Sequence, residues 1–262
     1  MSLGLEPMTF TTTRDAYDAF MGRYADRLAP LLIGFAGVQP GQAVLDVGCG
    51  PGSLTEALAA QARGGRVAAV DPSEPFAAAT AERVPSADVQ LGAAEALPWP
   101  DDTFDAALAQ LVVNFMSDAD AGVAEMRRVV RPGGTVAACT WDYGGGMTML
   151  RTFWDATLAL DPDAPDEARG MRFQVASDLH EVWVDAGLTG VETDSLAVEV
   201  AYRDFGDFWE PFTGGVGPAG AYYVSLDEDR RAALREECRR RLGNPDGPFT
   251  LGAEAWAVRG RA

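Results

Sequence analysis

The 262-residue sequence contains no lysine, a single histidine and only three cysteines, and these scarcities exclude several kinds of site. The histidine, His180, has no companions for a metal cluster or for a Ser/His/Asp arrangement of recognisable spacing, so no metal is expected and His180 is predicted to be structural or exposed. The three cysteines are widely spaced and form no CxxC pair, which indicates free thiols in a reducing compartment. They are Cys49, Cys139 and Cys238.

Positive charge is also scarce, because 21 arginines face 39 acidic residues and the formal net charge is −18. A surface this acidic repels phosphate backbones and anionic lipids, which argues against nucleic acid and membrane as main partners. The run Arg239–Arg241 follows Glu236 and Glu237 closely. This mixture of signs is typical of a solvated helical face rather than a nucleic-acid patch.

Long apolar runs are missing as well. Hydrophobic residues make up 47% of the chain, yet no uninterrupted stretch approaches the roughly 18 to 20 residues that span a bilayer. Met1–Thr13 has neither the basic nor the apolar region of a signal peptide. These features predict a cytoplasmic protein that does not cross a membrane.

Between residues 43 and 141, short apolar segments alternate with segments of helical composition. The predicted strands are Ala43–Val47, Arg66–Val70, Val89–Leu91, Phe104–Ala109 and Thr135–Trp141. The predicted helices are Leu54–Ala62, a helix that Ser73 caps and that runs through Val84, and Asp118–Val130, which ends at the sequence RPGG. This alternation predicts an α/β fold in which helices cover both faces of a parallel sheet.

Further elements are predicted on both sides of this core. Upstream, Arg14–Ala36 is predicted to form one or two helices, broken near Gly22 or at Pro30. Downstream, the predicted elements are helices at Met149–Leu160, Ser177–Ala186 and Asp227–Leu242, an aromatic-rich segment at Phe205–Phe212, and strands at Val191–Tyr202 and Ala253–Val258. We therefore predict one structural domain with an N-terminal helical cap (1–41), a ligand-binding core (42–147) and a C-terminal part that adds strands and a helical lid (148–262).

The strongest local signal is the sequence VLDVGCGPG at Val44–Gly52, where a predicted strand gives way to a helix. Glycines at such a turn let the backbone bend sharply and let a ligand approach closely. Asp46 stands before the first glycine, where an acid suits an ammonium group on a ligand; capping of the next helix is the alternative, but it does not explain Asp71. Asp71 follows the second strand, where an acid can accept hydrogen bonds from both ribose hydroxyls of a nucleoside.

Two further segments accompany the glycine sequence: GAAEALPWPDDTFD at residues 92–105 and EMRRVVRPGG at residues 125–134. In this order, the three motifs resemble those of the class I S-adenosylmethionine-dependent methyltransferases, in particular the small-molecule branch similar to the ubiquinone and menaquinone C-methyltransferases. The resemblance implies a Rossmann-like, mostly parallel sheet of seven strands. It also implies S-adenosylmethionine as the cofactor, with S-adenosylhomocysteine as its product.

The resemblance assigns the glycine loop to the methionine part of the cofactor. It implies that Gly48, Gly50 and Gly52 cradle this part while Asp46 orients it. Cys49 lies in the same loop by position, and we assign it no chemistry.

The resemblance assigns a second group of residues to the nucleoside. Asp71 is implied to hold the ribose, Pro72 and Ser73 to flank the adenine, and Ala94 and Glu95 to meet the adenine from the third strand. Glu95 has an alternative interpretation as a solvated loop acid.

A third group is implied to lie near the reacting sulfonium and the methionine carboxylate. Gln110 and Leu111, just beyond the fourth strand, match positions beside the sulfonium. The sequence YDAFMGRY at residues 17–24 resembles an entry helix in which an aromatic residue and an arginine close over the carboxylate, here Tyr17 and Arg23. Arg23 is equally compatible with a place on the helix surface.

These observations predict methyl transfer to a small organic acceptor. No Asn/Asp-Pro-Pro-Tyr/Phe sequence follows the fourth strand, which argues against nucleobase and glutamine methyltransferases. Two alternatives stay open: a nicotinamide-dependent oxidoreductase, although its loop would read GxGxxG rather than GxGxG, and a non-catalytic protein that binds S-adenosylmethionine. No catalytic base is assigned, and neither the acceptor nor the oligomeric state is predicted.

Ten aromatic residues of the C-terminal part have two open interpretations. They either line an apolar acceptor cavity or pack within the lid itself. They are Phe153, Trp154, Phe173, Trp183, Phe205, Phe208, Trp209, Phe212, Tyr222 and Tyr223.

Overall fold

Seven β-strands form one sheet in the computed structural model, which describes residues 17–262. The strands are β1 (Val44–Val47), β2 (Val67–Asp71), β3 (Asp88–Leu91), β4 (Phe104–Gln110), β5 (Val130–Trp141), β6 (Thr189–Tyr202) and β7 (Phe249–Arg261). Their order across the sheet is β3-β2-β1-β4-β5-β7-β6. Strands β1 to β5 pair in parallel, and β7 pairs antiparallel with both β5 and β6. The predicted seven-stranded, mostly parallel sheet is therefore confirmed.

Helices pack on both faces of this sheet. They are α1 (Arg23–Ala36), α2 (Ser53–Gln61), α3 (Glu74–Arg83), α4 (Ala119–Val129), α5 (Thr148–Leu160), α6 (Ala176–Asp185), α7 (Phe205–Thr213), α8 (Gly217–Ser225) and α9 (Glu228–Arg241). Side chains of β4 alternate between the two cores, since Leu108 lies in one cluster while Ala107 and Ala109 lie in the other. The first cluster includes Leu28 of α1, and the second includes Val123 of α4.

The N-terminal helix changes its hydrogen-bonding pattern at one of the two predicted positions. A π-helical turn, Asp18–Gly22, leads directly into α1. The helix continues through Pro30, which lies on its exposed side, where water can solvate the carbonyl that a proline leaves without a partner. Met1–Thr13 and the predicted helix start at Arg14 lie outside the described residues.

Two strands extend well beyond their predicted ends. Strand β5 begins at Val130, because Val130 pairs with Phe104 instead of ending the preceding helix. Strand β7 starts at Phe249, which pairs with Tyr202 of β6. Long-range pairing lengthens both strands, and sequence periodicity gives no information on it. Helix α8 was not predicted at all.

The sheet order places a ligand-binding crevice at β1 and β4. The chain adds strands outward from β1 to β3 and then returns to place β4 on the other side of β1. In open α/β sheets, ligands bind outside the carboxyl ends of the strands at such a reversal. Those ends carry Gly48 after β1, Asp71 of β2 and Gln110 of β4.

Candidate functional site

Two adjoining cavities open at the carboxyl ends of the parallel strands. The larger has a volume of about 620 Å³, and the smaller, a recess of about 30 Å³, shares with it Tyr17, Gly48, Gly50 and Gln110. Every predicted site residue except Gly52 and Arg23 lines at least one of them. A volume of several hundred Å³ is typical of pockets that enclose small molecules.

The backbone between β1 and α2 can make its turn only because of its glycines. Gly48 has φ +71°, and a Cβ added there would lie 2.4 Å from Cγ2 of Val112. Gly50 has φ +51° and lines the cavity, and a Cβ added there would have no other atom within 4 Å. Both amides at the start of the turn, those of Gly48 and Cys49, donate to the carbonyl of Val70 in β2. The loop therefore presents bare backbone to a ligand.

Asp71 holds this loop from the neighbouring strand. Its Oδ2 accepts a hydrogen bond of 2.8 Å from the amide of Gly50, and its Oδ1 accepts one of 2.8 Å from the amide of Ser73. Burial raises the pKa of Asp71, and these two bonds oppose the rise. Because each carboxylate oxygen can accept more than one hydrogen bond, Asp71 can also accept from a diol in the larger cavity, which it lines.

The recess beside the loop holds buried oxygens that lack partners among residues 17–262. They are Oδ1 of Asp46, Oε1 of Gln110 and the hydroxyl of Ser53. The other oxygen of Asp46 accepts a 2.6 Å hydrogen bond from Thr55. Buried acceptors without partners are costly, and a donor of positive charge would satisfy them. A recess of this volume can hold a group the size of a water molecule, such as the ammonium of a methionine moiety.

The protonation of Asp46 depends on whether such a group is present. Burial raises the pKa of Asp46 to about 7, with the hydrogen bond from Thr55 lowering it and the charge of Asp71 raising it further. An adjacent cation favours the carboxylate form. Ser53, the first residue of α2, lies beside Asp46 in the recess, and the role of Asp46 toward a ligand stays a prediction.

The residues after β4 adopt an unusual backbone. The side-chain Nε2 of Gln110 donates to the carbonyl of Ala25 in α1 at 3.1 Å, which orients the amide and leaves Oε1 unpartnered within the described chain. Leu111 has φ +62°, and its amide donates to the carbonyl of Cys139 in β5. A non-glycine residue held in this left-handed region is characteristic of functional sites. Both residues line the larger cavity.

The residues predicted at the adenine all line the larger cavity: Pro72, Ser73, Ala94 and Glu95. Ser73 does precede α3 as predicted, but its hydroxyl makes no capping bond. Glu95 accepts a hydrogen bond of 3.1 Å from the amide of Asp118, so this carboxylate has a structural partner as well as a place in the cavity wall.

Two predicted residues lie away from the cavities. The structure gives Arg23 a different partner from the predicted carboxylate, because its guanidinium lies 3.2 Å from Asp207 and 4.9 Å from the centre of the Tyr202 ring. Gly52 flanks the start of α2, and a Cβ there would come within 3.0 Å of Oγ1 of Thr80. Tyr17, the other member of the entry motif, does line both cavities.

The wall of the larger cavity also contains residues that sequence reasoning missed. Trp141 is the last residue of β5 and Tyr143 follows this strand, while the others come from the C-terminal part and the N-terminal π-helical turn. They are Trp141, Tyr143, Leu150, Glu167, Val216, Pro218, Phe20 and Met21. The position of Trp141 and Tyr143 at the carboxyl end of a parallel strand was a usable signal, whereas Glu167 had none.

The ten aromatic residues considered for an acceptor cavity pack against other parts of the protein instead, most within the C-terminal part, and Phe173 and Trp183 against the central sheet. None of the ten lines the larger cavity as the structure describes it. Phe153 stacks on Phe212 with ring centroids 4.7 Å apart, and Trp209 meets Tyr223 edge to face. The packing interpretation is the one that the structure supports.

Known proteins share this sequence and fold. Residues 45–138 match the family model described as "Methyltransferase domain". The chain is 33% identical over 179 residues to the malonyl-(acyl-carrier protein) O-methyltransferase of Salmonella typhimurium, over 64% of this chain and 68% of that protein. It is 41% identical over 106 residues to a ubiquinone/menaquinone biosynthesis C-methyltransferase of Cupriavidus necator, over 38% of this chain and 44% of the relative.

A solved structure of a SAM-dependent methyltransferase from Aquifex aeolicus has the same fold, with a TM-score of 0.50 and 20% identity over 74% of this chain and 93% of that one. The chain belongs to the class I S-adenosylmethionine-dependent methyltransferases. Its cofactor is S-adenosylmethionine. The sheet order agrees, because β7 stands between β5 and β6, whereas the dinucleotide-binding order is 3-2-1-4-5-6.

In this member of the methyltransferase family, one arginine joins the second and third sequence motifs. Arg128 donates to the carbonyls of Leu97 and Trp99 at 3.0 and 2.9 Å. It also pairs with Glu125 and Asp101. The two motifs are therefore one structural unit that positions the turn carrying Ala94 and Glu95.

Two further features bear on the methyltransferase family member as a whole. Within residues 17–262, no helix is long and apolar enough to cross a bilayer, and the cytoplasmic location stays a prediction. In the same part of the chain, His, Cys, Asp and Glu form no group of three or more that could hold a metal ion. His180 lies exposed on α6, as predicted.

Proposed function

We propose that the protein transfers the methyl group of S-adenosylmethionine to a small organic acceptor bound in the larger cavity. The observation that carries this proposal is the composition of that cavity. Asp71, Pro72 and Ser73 line it where β2 ends, and Trp141 lines it where β5 ends, three strands away in the sheet, together with apolar residues of the C-terminal part such as Leu150 and Val216. A single enclosure with these two ends can hold a nucleoside cofactor and an apolar acceptor side by side.

The chain's own residues have distinct tasks in this proposal. Asp46 and Gln110 hold the ammonium group, and Asp71 holds the ribose hydroxyls. When bound, the cofactor supplies a methyl group on a positively charged sulfur, and the sulfur is the group that a nucleophile in line with the S–CH₃ bond displaces. Alignment and the exclusion of water are then the main requirements, and Leu111 with the apolar wall meets both.

The charge and the relatives favour a small molecule without fixing its identity. A net charge of −18 disfavours nucleic acids as acceptors. One relative is a malonyl-(acyl-carrier protein) O-methyltransferase and another is a quinone-biosynthesis C-methyltransferase. Because such relatives keep one cofactor site and vary the acceptor, the acceptor has to be found by experiment.

Calorimetric titration of the purified protein with S-adenosylmethionine, S-adenosylhomocysteine and NADH tests the cofactor assignment. We expect micromolar binding of the first two, about −8 kcal/mol, and none of NADH. Asp71→Ala should weaken that binding at least tenfold, since it removes acceptors for two backbone amides and for the ribose. The matched control Glu199→Ala, on an exposed position of β6, should bind like wild type.

An acceptor screen that measures release of S-adenosylhomocysteine then tests methyl transfer. Turnover with a small hydroxyl, amine or carbon acceptor supports the proposal. Tight cofactor binding without turnover across the whole screen favours a non-catalytic role as a cofactor-binding protein. Binding of NADH in place of S-adenosylmethionine overturns the cofactor assignment as well.

A further inference from the structure

Four carboxylate side chains line the larger cavity in the described chain: Asp71, Glu74, Glu95 and Glu167. The first three lie at or beside the nucleoside end, and two of them already accept hydrogen bonds from backbone amides. Glu167 differs because it comes from the C-terminal part, in the turn Glu167–Arg169 after α5. It therefore reaches the cavity from the part of the chain to which the proposed function assigns the acceptor.

The position of Glu167 is set by a tryptophan. The indole Nε1 of Trp154 in α5 donates a 2.7 Å hydrogen bond to its Oε1. Among residues 17–262, no hydrogen bond is made to its Oε2. One oxygen is thus anchored, and the other is available to a molecule in the cavity.

Within residues 17–262, no salt bridge joins Glu167 to a positive side chain. Arg151, whose charge acts on Glu167, instead donates to both oxygens of the adjacent Asp166 at 3.0 Å and also pairs with Asp155. Burial raises the pKa of Glu167 to about 7. The hydrogen bond from Trp154 and the charge of Arg151 lower this pKa, whereas the charge of Asp166 raises it. A base with a pKa near the working pH is the most effective in proton transfer.

Tyr143 connects this carboxylate with the cofactor end. Tyr143, Tyr17 and Glu167 all line the larger cavity. Burial raises the pKa of the Tyr143 hydroxyl, the charges of Glu167 and Tyr17 raise it further, and the hydrogen bond from Asn114 lowers it. Tyr17 lines both the larger cavity and the recess of Asp46. Tyr143 stays protonated and can donate a hydrogen bond, so Glu167 is the group that can accept a proton.

We propose that Glu167 is the catalytic base and that the acceptor is an apolar molecule with one weakly acidic hydroxyl, a phenol or an enol. This inference rests on the proposed methyl transfer. The acceptor O–H bond breaks and its proton goes to Oε2 of Glu167. The new O–CH₃ bond forms as the S–CH₃ bond breaks, and that electron pair stays on sulfur.

The wall chemistry selects this class of acceptor over two others. A carboxylic acid is already ionised near neutral pH, needs no base and is repelled by the Glu167 carboxylate. An aliphatic amine is protonated near neutral pH, so its positive charge would have to leave water for a largely apolar wall. A phenol with an ordinary pKa of about 10 is neutral, fits the apolar wall and gains reactivity from the base.

The first experiment follows the ionisation of the Glu167 carboxyl group in the protein without any ligand. The indole N–H resonance of Trp154, assigned with Trp154→Phe, should titrate with a midpoint near the pKa of Glu167. Glu167→Gln keeps an oxygen for the indole and should abolish this titration. Glu181→Gln, the same change at an exposed position of α6, should leave it intact. An indole resonance that stays unchanged as the pH is raised through about 7 overturns the assignment of Glu167 as a base.

The second experiment uses two matched probes, 2-naphthol and 2-methoxynaphthalene, on protein saturated with S-adenosylhomocysteine. Calorimetry should show that 2-naphthol binds about tenfold more tightly at pH of about 8 than at about 6, because a carboxylate accepts its hydroxyl proton in a charge-assisted bond. The methoxy compound and Glu167→Gln should show no such pH dependence. Equal behaviour of the two probes, or binding of neither, overturns the hydroxyl assignment.

Turnover separates this inference from the proposed function. With phenol and enol acceptors, Glu167→Gln should lower kcat by about 100-fold or more, with cofactor affinity unchanged. Turnover confined to amines or carboxylic acids would retain methyl transfer and overturn the inference. Loss of cofactor binding by the wild type would instead contradict the proposed function itself.

Discussion

Arg23 and Asp207 form an ion pair that joins the first helix of the described chain to α7. The guanidinium lies 3.2 Å from the carboxylate, and the two side chains are only 24% and 11% exposed. Burial opposes ionisation of Asp207, but hydrogen bonds from Arg203 and Arg23 outweigh it and hold its pKa well below the usual range. The arginine that the resemblance implied at the cofactor therefore connects two helices.

Arg23→Ala should destabilise the fold and leave cofactor affinity unchanged. We expect the free energy of unfolding to fall by about 1 kcal/mol near neutral pH. A carboxyl whose pKa is lowered by folding stabilises the protein above its unfolded pKa, so the difference from wild type should shrink as the pH falls below about 4. Urea denaturation and calorimetry with S-adenosylhomocysteine measure the two effects. A large loss of affinity with normal stability would restore the cofactor role.

Cofactor affinity should rise with pH through the titration of Asp46. Burial raises its pKa to about 7 in the free protein, and the ammonium group binds the carboxylate form. Below this pKa, affinity for S-adenosylhomocysteine should fall by up to about tenfold per pH unit, and above it the affinity should level off. Calorimetry over a pH series checks this expectation. Asp46→Asn should bind more weakly and independently of pH over the same range.

Thr55→Val provides an internal check on the Asp46 titration. Thr55 donates to Oδ2 of Asp46 at 2.6 Å, and this bond lowers the pKa of the carboxyl. Its removal should shift the midpoint of the affinity profile to higher pH. A shift to lower pH, or none, would contradict the assignment of the profile to Asp46.

Gly48→Ala should destabilise the loop through one identified contact. Its Cβ would lie 2.4 Å from Cγ2 of Val112, at a φ of +71°. We expect a loss of about 1 to 3 kcal/mol in the free energy of unfolding. Gly50→Ala meets no such contact and should lose less. Val112→Ala in the Gly48→Ala background should recover most of the steric cost, because it removes both Cγ atoms and leaves only Cβ at 2.9 Å. Additive effects of the two substitutions would contradict this origin.

Arg128→Ala should loosen the segment at residues 92–105. It removes hydrogen bonds to the carbonyls of Leu97 and Trp99, and the loss should be about 2 kcal/mol or more. Hydrogen exchange should increase in this segment while the strands stay protected. Arg127→Ala, whose side chain bonds the carbonyl of Ala186 instead, is the matched control and should not affect the segment.

Much of the cofactor end could be predicted because its signals are local. The glycine loop, Asp46, Asp71 and Gln110 each lie where a strand ends, and parallel strands bring their carboxyl ends to one edge of the sheet. The predicted residues meet there, and their roles toward the cofactor stay predictions for the binding experiments above. The strand and helix alternation from β1 to β5 was predictable for the same reason.

The acceptor end could not be predicted in this way. Glu167 stands in an acidic, proline-containing segment, DPDAPDEAR at residues 161–169, and nothing local separates it from its solvated neighbours. Its pKa depends on burial, on Trp154 and on the pairing of Arg151 with Asp166. Arg23 illustrates the converse, since a familiar motif placed it at a ligand while Asp207, 184 residues away, supplies its partner.

The sequence by itself determined the sheet-forming segments, the glycine turn and the family, because hydrophobic periodicity, backbone freedom and motif order are properties of neighbouring residues. Only the tertiary structure decided where β7 inserts, which aromatic residues pack together and which acid of the C-terminal part lines the cavity. These depend on contacts between residues far apart in the chain, such as Phe249 with Tyr202 and Phe153 with Phe212. Burial, rather than residue type, then sets the pKa that makes a carboxylate a usable base.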